Sequence, residues 1–268
     1  MTNAIKTFLA ALALAAVSAA THAQAGGFTP ELFDAWIKMR AGDGKPVFWY
    51  SEGIVKSNPE GETIGYMTGT DMSIVMRDET KPNTWIQLSR KIFITIDPKT
   101  GEIALGPDGK PRRPIAYPYQ MKTYTLDGDE IVYSVQSHDG RVIADEEPRR
   151  NYSVRKIGNV THFNYAMFID RDRGNGERVQ RFEVNDFFMR PDPDLNEQER
   201  YQYTWTGTGP GPIMSSAVSW RYSAFDDIPN ELVKKYIREN APLWQAPPKD
   251  MAEIERIRTI RPYPLGQK

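Results

Sequence analysis

Between residues 46 and 225 the chain alternates apolar and polar positions with a period of two. The clearest run is Trp85–Asp97 (WIQLSRKIFITID). Ile86, Leu88, Ile92, Ile94 and Ile96 fall on one side of an extended chain. Gln87, Ser89, Lys91, Thr95 and Asp97 fall on the other, together with Trp85 and Phe93. A helix would scatter these residues around its circumference, whereas a strand sorts them onto two faces. Similar runs are Val47–Val55, Ser73–Arg77, Tyr119–Leu126, Glu130–Ser137, Thr161–Ile169, Arg178–Phe188, Arg200–Trp205 and Ser216–Tyr222. Asp97-Pro98-Lys99-Thr100-Gly101, Pro107-Asp108-Gly109, Leu126-Asp127-Gly128-Asp129 and Arg173-Gly174-Asn175-Gly176 supply turn chemistry between them. About eight to ten strands joined by short turns predict a mainly β fold. The expected form is an antiparallel β-barrel or clam-like double sheet.

Three segments follow the helical period instead. Thr29-Pro30-Glu31 offers a cap, a first-turn proline and a first-turn acid, and Leu32, Phe33, Trp36, Ile37 and Met39 follow at helical spacing. This predicts a helix over Pro30–Arg40. Pro229–Asn240 and Asp250–Arg258 predict two C-terminal helices, the second with Asp250 and Glu253 at capping-box spacing. With no repeat or linker between these elements, residues 26–268 are expected to form a single β-rich domain.

The first 25 residues have another character. Lys6 precedes an apolar run of small residues, Thr7–Ala20, and Thr21, Ala23 and Ala25 then place small side chains at alternating positions. This is the layout of a Sec-type signal peptide cleaved after Ala23 or Ala25. It predicts a periplasmic or secreted protein. No later apolar run approaches the roughly 18 residues of a helical span, so no membrane insertion is expected after cleavage.

Composition narrows the chemistry. The chain has 268 residues and no cysteine, which removes disulfides, thiolate metal sites and a cysteine nucleophile. The formal charge of −1, without a basic cluster, argues against a nucleic-acid partner. There are only three histidines, one of them in the leader. No metal and no cofactor are expected. The Gly207–Pro212 stretch (GTGPGP) lacks the helix start and lysine of a phosphate loop, and no G-x-S-x-G elbow occurs. Asp170–Gly176 and Asp192–Asn196 carry acidic spacing without the glycine order of a calcium loop.

Lys38–Val55 (KMRAGDGKPVFWYSEGIV), Lys91–Ile103 (KIFITIDPKTGEI) and Ser216–Pro229 (SAVSWRYSAFDDIP) resemble, in order and spacing, the secreted bacterial proteins grouped as domain-of-unknown-function 1838. The resemblance covers most of the chain beyond the leader. It implies a β-rich secreted domain and assigns no reaction.

Polar residues within apolar or aromatic strands are the remaining candidates. Arg90 shares a face with Leu88 and Ile92, where a guanidinium needs a carboxylate or a wet cavity. It is expected to point inward and meet Glu183. His162 and Asn164 share one face of a strand, and Phe163, Tyr165, Met167 and Ile169 the other; the His162 face is slightly favoured as the interior. Tyr203 and Trp205, with Trp220 and Arg221, would add an aromatic wall with a polar handle. These residues predict a periplasmic barrel that binds a small apolar or aromatic molecule. The first alternative is a cofactor-independent lyase, isomerase or hydrolase using His162, Arg90, Glu183 or a tyrosine for proton transfer, with Asn164, Tyr203, Trp205, Trp220 and Arg221 holding the substrate. The second is an envelope interaction protein presenting its loops and C-terminal helix.

Intact-mass spectrometry of the exported protein is expected to give an N-terminus at Gln24 or Gly26. A full-length product retained in the cytoplasm would contradict the leader assignment.

Overall fold

A computed structural model describes residues 27–138, 143–172, 178–209, 211–260 and 262–266. The expected signal peptide and the Arg173–Gly176 turn lie outside the described residues. Helix α1 (Pro30–Ala41) is followed by eleven strands. These are β1 (Val47–Ser57), β2 (Thr63–Arg77), β3 (Thr84–Ile96), β4 (Ile115–Asp127), β5 (Glu130–His138), β6 (Ile143–Arg149), β7 (Tyr152–Ile157), β8 (Val160–Asp172), β9 (Arg178–Met189), β10 (Tyr201–Thr208) and β11 (Ile213–Tyr222). A single helical turn, α2 (Glu197–Arg200), precedes β10. Helices α3 (Glu231–Asn240) and α4 (Met251–Arg258) end the chain.

All strands belong to one antiparallel sheet in the order β6-β5-β4-β3-β2-β1-β11-β10-β9-β8-β7. The fold is the mainly β, barrel-like architecture read from the sequence. Because β1 pairs with both β2 and β11, the two ends of the meander meet in mid-sheet. The edges β6 and β7 are consecutive in the chain, so the sheet curls until its edges approach. Tyr133 on β5 packs edge-on against Tyr152 on β7, with ring centroids 5.1 Å apart, and Tyr124 on β4 reaches the same ring at 6.4 Å.

Two cores flank the sheet. The inner one contains α1. Thr29 Oγ1 accepts the Leu32 amide at 3.3 Å, Pro30 starts the helix, and Gly42 ends it at φ 91°, which only glycine adopts freely. Trp36 is fully buried between Phe187 (4.8 Å), Tyr152 (5.1 Å), Phe163 (5.4 Å) and Tyr124 (6.3 Å), rings from four different strands. Helix α1 therefore plugs one end of the barrel. The carbonyls of its last turn are claimed by the wall. Arg221 donates to Lys38 O and Met39 O at 2.5 and 2.8 Å, and Trp49 Nε1 donates to Arg40 O at 3.0 Å.

The outer core lies where α3 and α4 cover β1–β4. Phe48, Tyr50, Met72, Leu88, Ile92 and Ile94 pack there against Ile228, Val233, Ile237, Trp244, Ile254 and Ile257. A bulge fixes this contact. Between Ser89 and Lys91 the β3–β4 register shifts, so Pro118 and Tyr119 oppose Arg90 alone. Proline, which lacks an N–H for the ladder, is accommodated at such a bulge. The carbonyls beside it bind the C-terminal segment. Trp244 Nε1 donates to Tyr117 O at 3.1 Å and Lys91 O at 2.8 Å; Arg90 Nε donates to Pro118 O at 3.0 Å.

Arg90 is buried and meets a carboxylate, but on the outer face of β3, and the partner is Glu253 of α4 rather than Glu183. Its other donors go to Ala246 O at 2.9 Å and Leu243 O at 3.4 Å. The isoleucine face of β3 points outward because α4 covers it. The Lys91 face points into the barrel.

Arg90→Met leaves Glu253 buried without its partner and releases three backbone carbonyls. We expect a loss of about 3–5 kcal/mol in urea unfolding. A loss below about 1 kcal/mol, the value of an exposed pair, would show that the latch contributes little.

Candidate functional site

Cross-strand partners share a face, so the register identifies every inward position. Starting from Trp49, which faces α1, these are Ser51 on β1, Asp71 and Ser73 on β2, Gln87, Ser89, Lys91 and Phe93 on β3, and Lys122 and Tyr124 on β4. On the other half they are Ser219 and Arg221 on β11, Tyr203 and Trp205 on β10, Glu183, Asn185 and Phe187 on β9, and Phe163, Tyr165 and Met167 on β8. The aromatic layer around Trp36 is nearest the plug. Two residues further along, β1, β4 and β9 turn polar with Ser51, Lys122 and Asn185. Another step outward, Lys91, Phe93, Met167, Glu183 and Trp205 are partly exposed. The interior is thus occupied by α1 at one end and lined by polar and partly exposed side chains beyond it; this inward-facing region is termed the chamber.

Charge enters this interior from four strands and from the plug. Arg40, the penultimate residue of α1, places Nη2 2.6 Å from Asp71 Oδ2, and Lys91 Nζ lies 3.5 Å from the same oxygen. Both members of the first pair are almost wholly buried. Burial alone would raise the Asp71 carboxyl, but Lys91 and Arg40, with Lys122, outweigh it and hold the group down at about 2. On the opposite wall Tyr203 donates to Asn185 Oδ1 at 2.6 Å, Asn185 Nδ2 donates to Glu183 Oε1 at 3.3 Å, and Arg181 Nη2 pairs with Glu183 Oε2 at 2.9 Å. Tyr124 donates to Gln87 Oε1 at 2.9 Å. Burial raises the hydroxyls of Tyr165 and Tyr203 well above the usual value and that of Tyr124 to about 12, so all three remain protonated donors at neutral pH.

The candidate residues separate. Glu183, Tyr203 and Trp205 line the chamber. Arg221 also faces inward, but at the plugged end, where it binds the α1 carbonyls, pairs with Glu197 at 2.7 Å and lies 4.6 Å over the Tyr201 ring. It positions the plug. His162 and Asn164 are on the outer face of β8, contrary to the slight preference for an inward His162, because Phe163 and Tyr165 take the interior beside Trp36 and Phe187. His162 Nδ1 accepts from Arg155 Nε at 2.9 Å, and Nε2 lies 2.7 Å from Asp186 Oδ1, which also accepts from Asn164 at 2.8 Å. The ring is thus held on both sides, by Arg155 and by Asp186. Trp220 packs into the outer core. His162, Arg90 and Glu183 therefore stand in three separate places and are not brought together.

Arg40, Asp71, Gln87, Lys122, Tyr165 and Asn185 were not singled out by sequence. Gln87 and Lys91 stand on the polar face of β3, which period-two patterning alone would place outside. Asp71 precedes the portion of β2 read as strand. Among the described residues no group of three His, Asp or Glu side chains could hold a metal ion. Asp192 Oδ1 instead accepts the Asp194 amide at 3.0 Å, in the turn that leads to the Asn196 cap of α2. No described helix is long and apolar enough to cross a membrane.

These features define a mainly antiparallel, barrel-like β protein with an internal helix and a charged, tyrosine-lined interior. Comparisons with protein-family models, with curated proteins and with solved structures each return no match.

The Asp71 carboxyl lies lower in the folded state than its ordinary 3.8, so its contribution is present in full above pH 3.8 and is lost as the pH falls through about 2. The span corresponds to about 2 kcal/mol. Asp71→Asn is expected to be less stable than wild type at neutral pH and to show a flatter decline in urea midpoint below pH 3.8. Parallel acid profiles for the two proteins would refute the assignment.

Proposed function

We propose that the protein binds a small apolar or aromatic molecule in the barrel chamber, with access from the end opposite α1. The observation that carries this reading is the change in the lining away from the plug. Near α1 the interior is a packed aromatic core. Beyond it Tyr203, Trp205, Met167 and Phe93 turn partly exposed aromatic and apolar faces inward, beside convergent polar groups. Apolar walls with a few fixed polar groups are the usual composition of a small-molecule site. Export to the periplasm or beyond, and the likeness to the domain-of-unknown-function 1838 proteins, belong to the same proposal and add no reaction to it.

The test is ligand-dependent quenching of tryptophan fluorescence with a panel of aromatic and terpenoid molecules. Trp205→Ala is expected to weaken binding about tenfold, equivalent to about 1.4 kcal/mol. Trp220→Ala, on the outer face, leaves it unchanged. Failure of the whole panel to bind folded wild-type protein would overturn the reading.

A further inference from the structure

Lys122 is the anomaly of the chamber. It occupies an inward position in the middle of β4, with only 6% of its surface exposed. Among the described residues no hydrogen-bond acceptor or carboxylate reaches its Nζ. Asp71, the nearest acid to influence it, is already shared by Arg40 and Lys91. Glu183 also acts on Lys122 through the field, but it is bound by Arg181. Three bases thus compete for one carboxylate. The chamber walls carry a second sign of the same kind: the Gln87 amide nitrogen and the Ser73 hydroxyl, both fully buried, have no hydrogen-bond partner among the described residues. Asp71 Oδ1 and Gln120 Oε1 stand open as acceptors on the same walls, so the site offers both signs with the positive one in excess.

We infer that Lys122, with Arg40 and Lys91, forms an anion site that receives the carboxylate of an aromatic or apolar acid bound in the chamber. This rests on the binding reading above and specifies its ligand.

The choice of a monoanion follows from the charges. Burial, reinforced by the positive fields of Lys91 and Arg40, drives the Lys122 amine far below its usual range. Arg40, Lys91 and Lys122 face one carboxylate, Asp71, so basic groups outnumber acids at this point of the interior. A ligand carboxylate supplies the acceptors that Lys122 lacks. An adjacent anion favours the charged amine, so binding is expected to draw a proton from solvent onto Lys122. Affinity consequently falls as pH rises through the pKa of Lys122 in the complex. The other titratable groups around the site are Arg40 on α1, Asp71 on β2, Lys91 on β3, Glu183 and Arg181 on β9, and the hydroxyls of Tyr124, Tyr165 and Tyr203. On β6 the register sets Glu146 opposite Val135, the cross-strand neighbour of Lys122.

Isothermal titration of the exported protein with naphthoate and with its neutral amide, in two buffers of different ionisation enthalpy, tests this. Naphthoate is expected to bind at least about tenfold more tightly than the amide and to take up a proton. Lys122→Met, which replaces the amine by an apolar chain of similar length, is expected to bind the amide like wild type and to lose both the preference and the proton uptake. Equal affinity for acid and amide, or tighter acid binding without proton uptake, would overturn the anion site while leaving the chamber reading intact. Binding of neither molecule would overturn both. The wild-type comparison decides the matter even if the variant does not fold.

Discussion

The insertion of α1 into the barrel is the constraint on which the rest of the structure depends. A closed sheet of about eight strands is just filled by its own side chains, and the interior widens as strands are added. The eleven described strands curl around a wider space, which their inward residues share with a helix. Helix α1 fills it with Phe33, Trp36 and Ile37, all buried. Each such side chain contributes about 1.5–3 kcal/mol when taken fully from water. The helix needs its backbone ends satisfied inside an apolar core, and the wall supplies Arg221 and Trp49 for that purpose. Arg221 is therefore held in place by helix chemistry, whatever the chamber binds.

The plug also explains which face of each strand looks inward. Period-two patterning sorted the residues of β3 and β8 correctly, yet it carried no sign for inside. On β3 both faces are buried, one by the barrel and one by α4, so the more hydrophobic face is not the interior one. Leu88 and Ile92 meet the C-terminal helices, while Gln87 and Lys91 line the chamber. On β8 the aromatic partners of Phe163 and Tyr165 decide the matter; they come from α1, β7 and β9, and Trp36 of α1 is remote in sequence. Helix ends and most strands were legible because caps, prolines and turns are local. The site was not, because it is assembled from one or two residues on each of several strands.

Strands β6 and β7 escaped the sequence reading for a related reason. They are the sheet edges, and β6 reads IADEEPR, with charge and a proline where an inner strand would be apolar. Such composition suits an edge, where unpaired backbone groups would otherwise recruit another strand. Arg150, in the connection between them, pairs with Asp127 at 2.5 Å and Glu130 at 3.1 Å on the β4–β5 hairpin. Exposed pairs of this kind contribute little to stability. What keeps the two edges close is the tyrosine layer beneath them, Tyr133, Tyr152 and Tyr165.

The chamber charges make poor sense as packing alone. Buried ion pairs seldom stabilise a protein more than apolar side chains of similar volume would, because desolvation offsets the attraction. Arg40 and Asp71 nevertheless stand face to face with almost no access to water. Their pairing has one consequence that an apolar contact would not have. Arg40 is part of α1, and Asp71 is part of the wall that carries Lys91 and Lys122 in its field. Any displacement of the plug withdraws a positive charge from the chamber and leaves Asp71 to the two lysines. The position of α1 and the electrostatic character of the chamber are therefore one variable. The same helix that closes the barrel sets the charge that a ligand meets inside it.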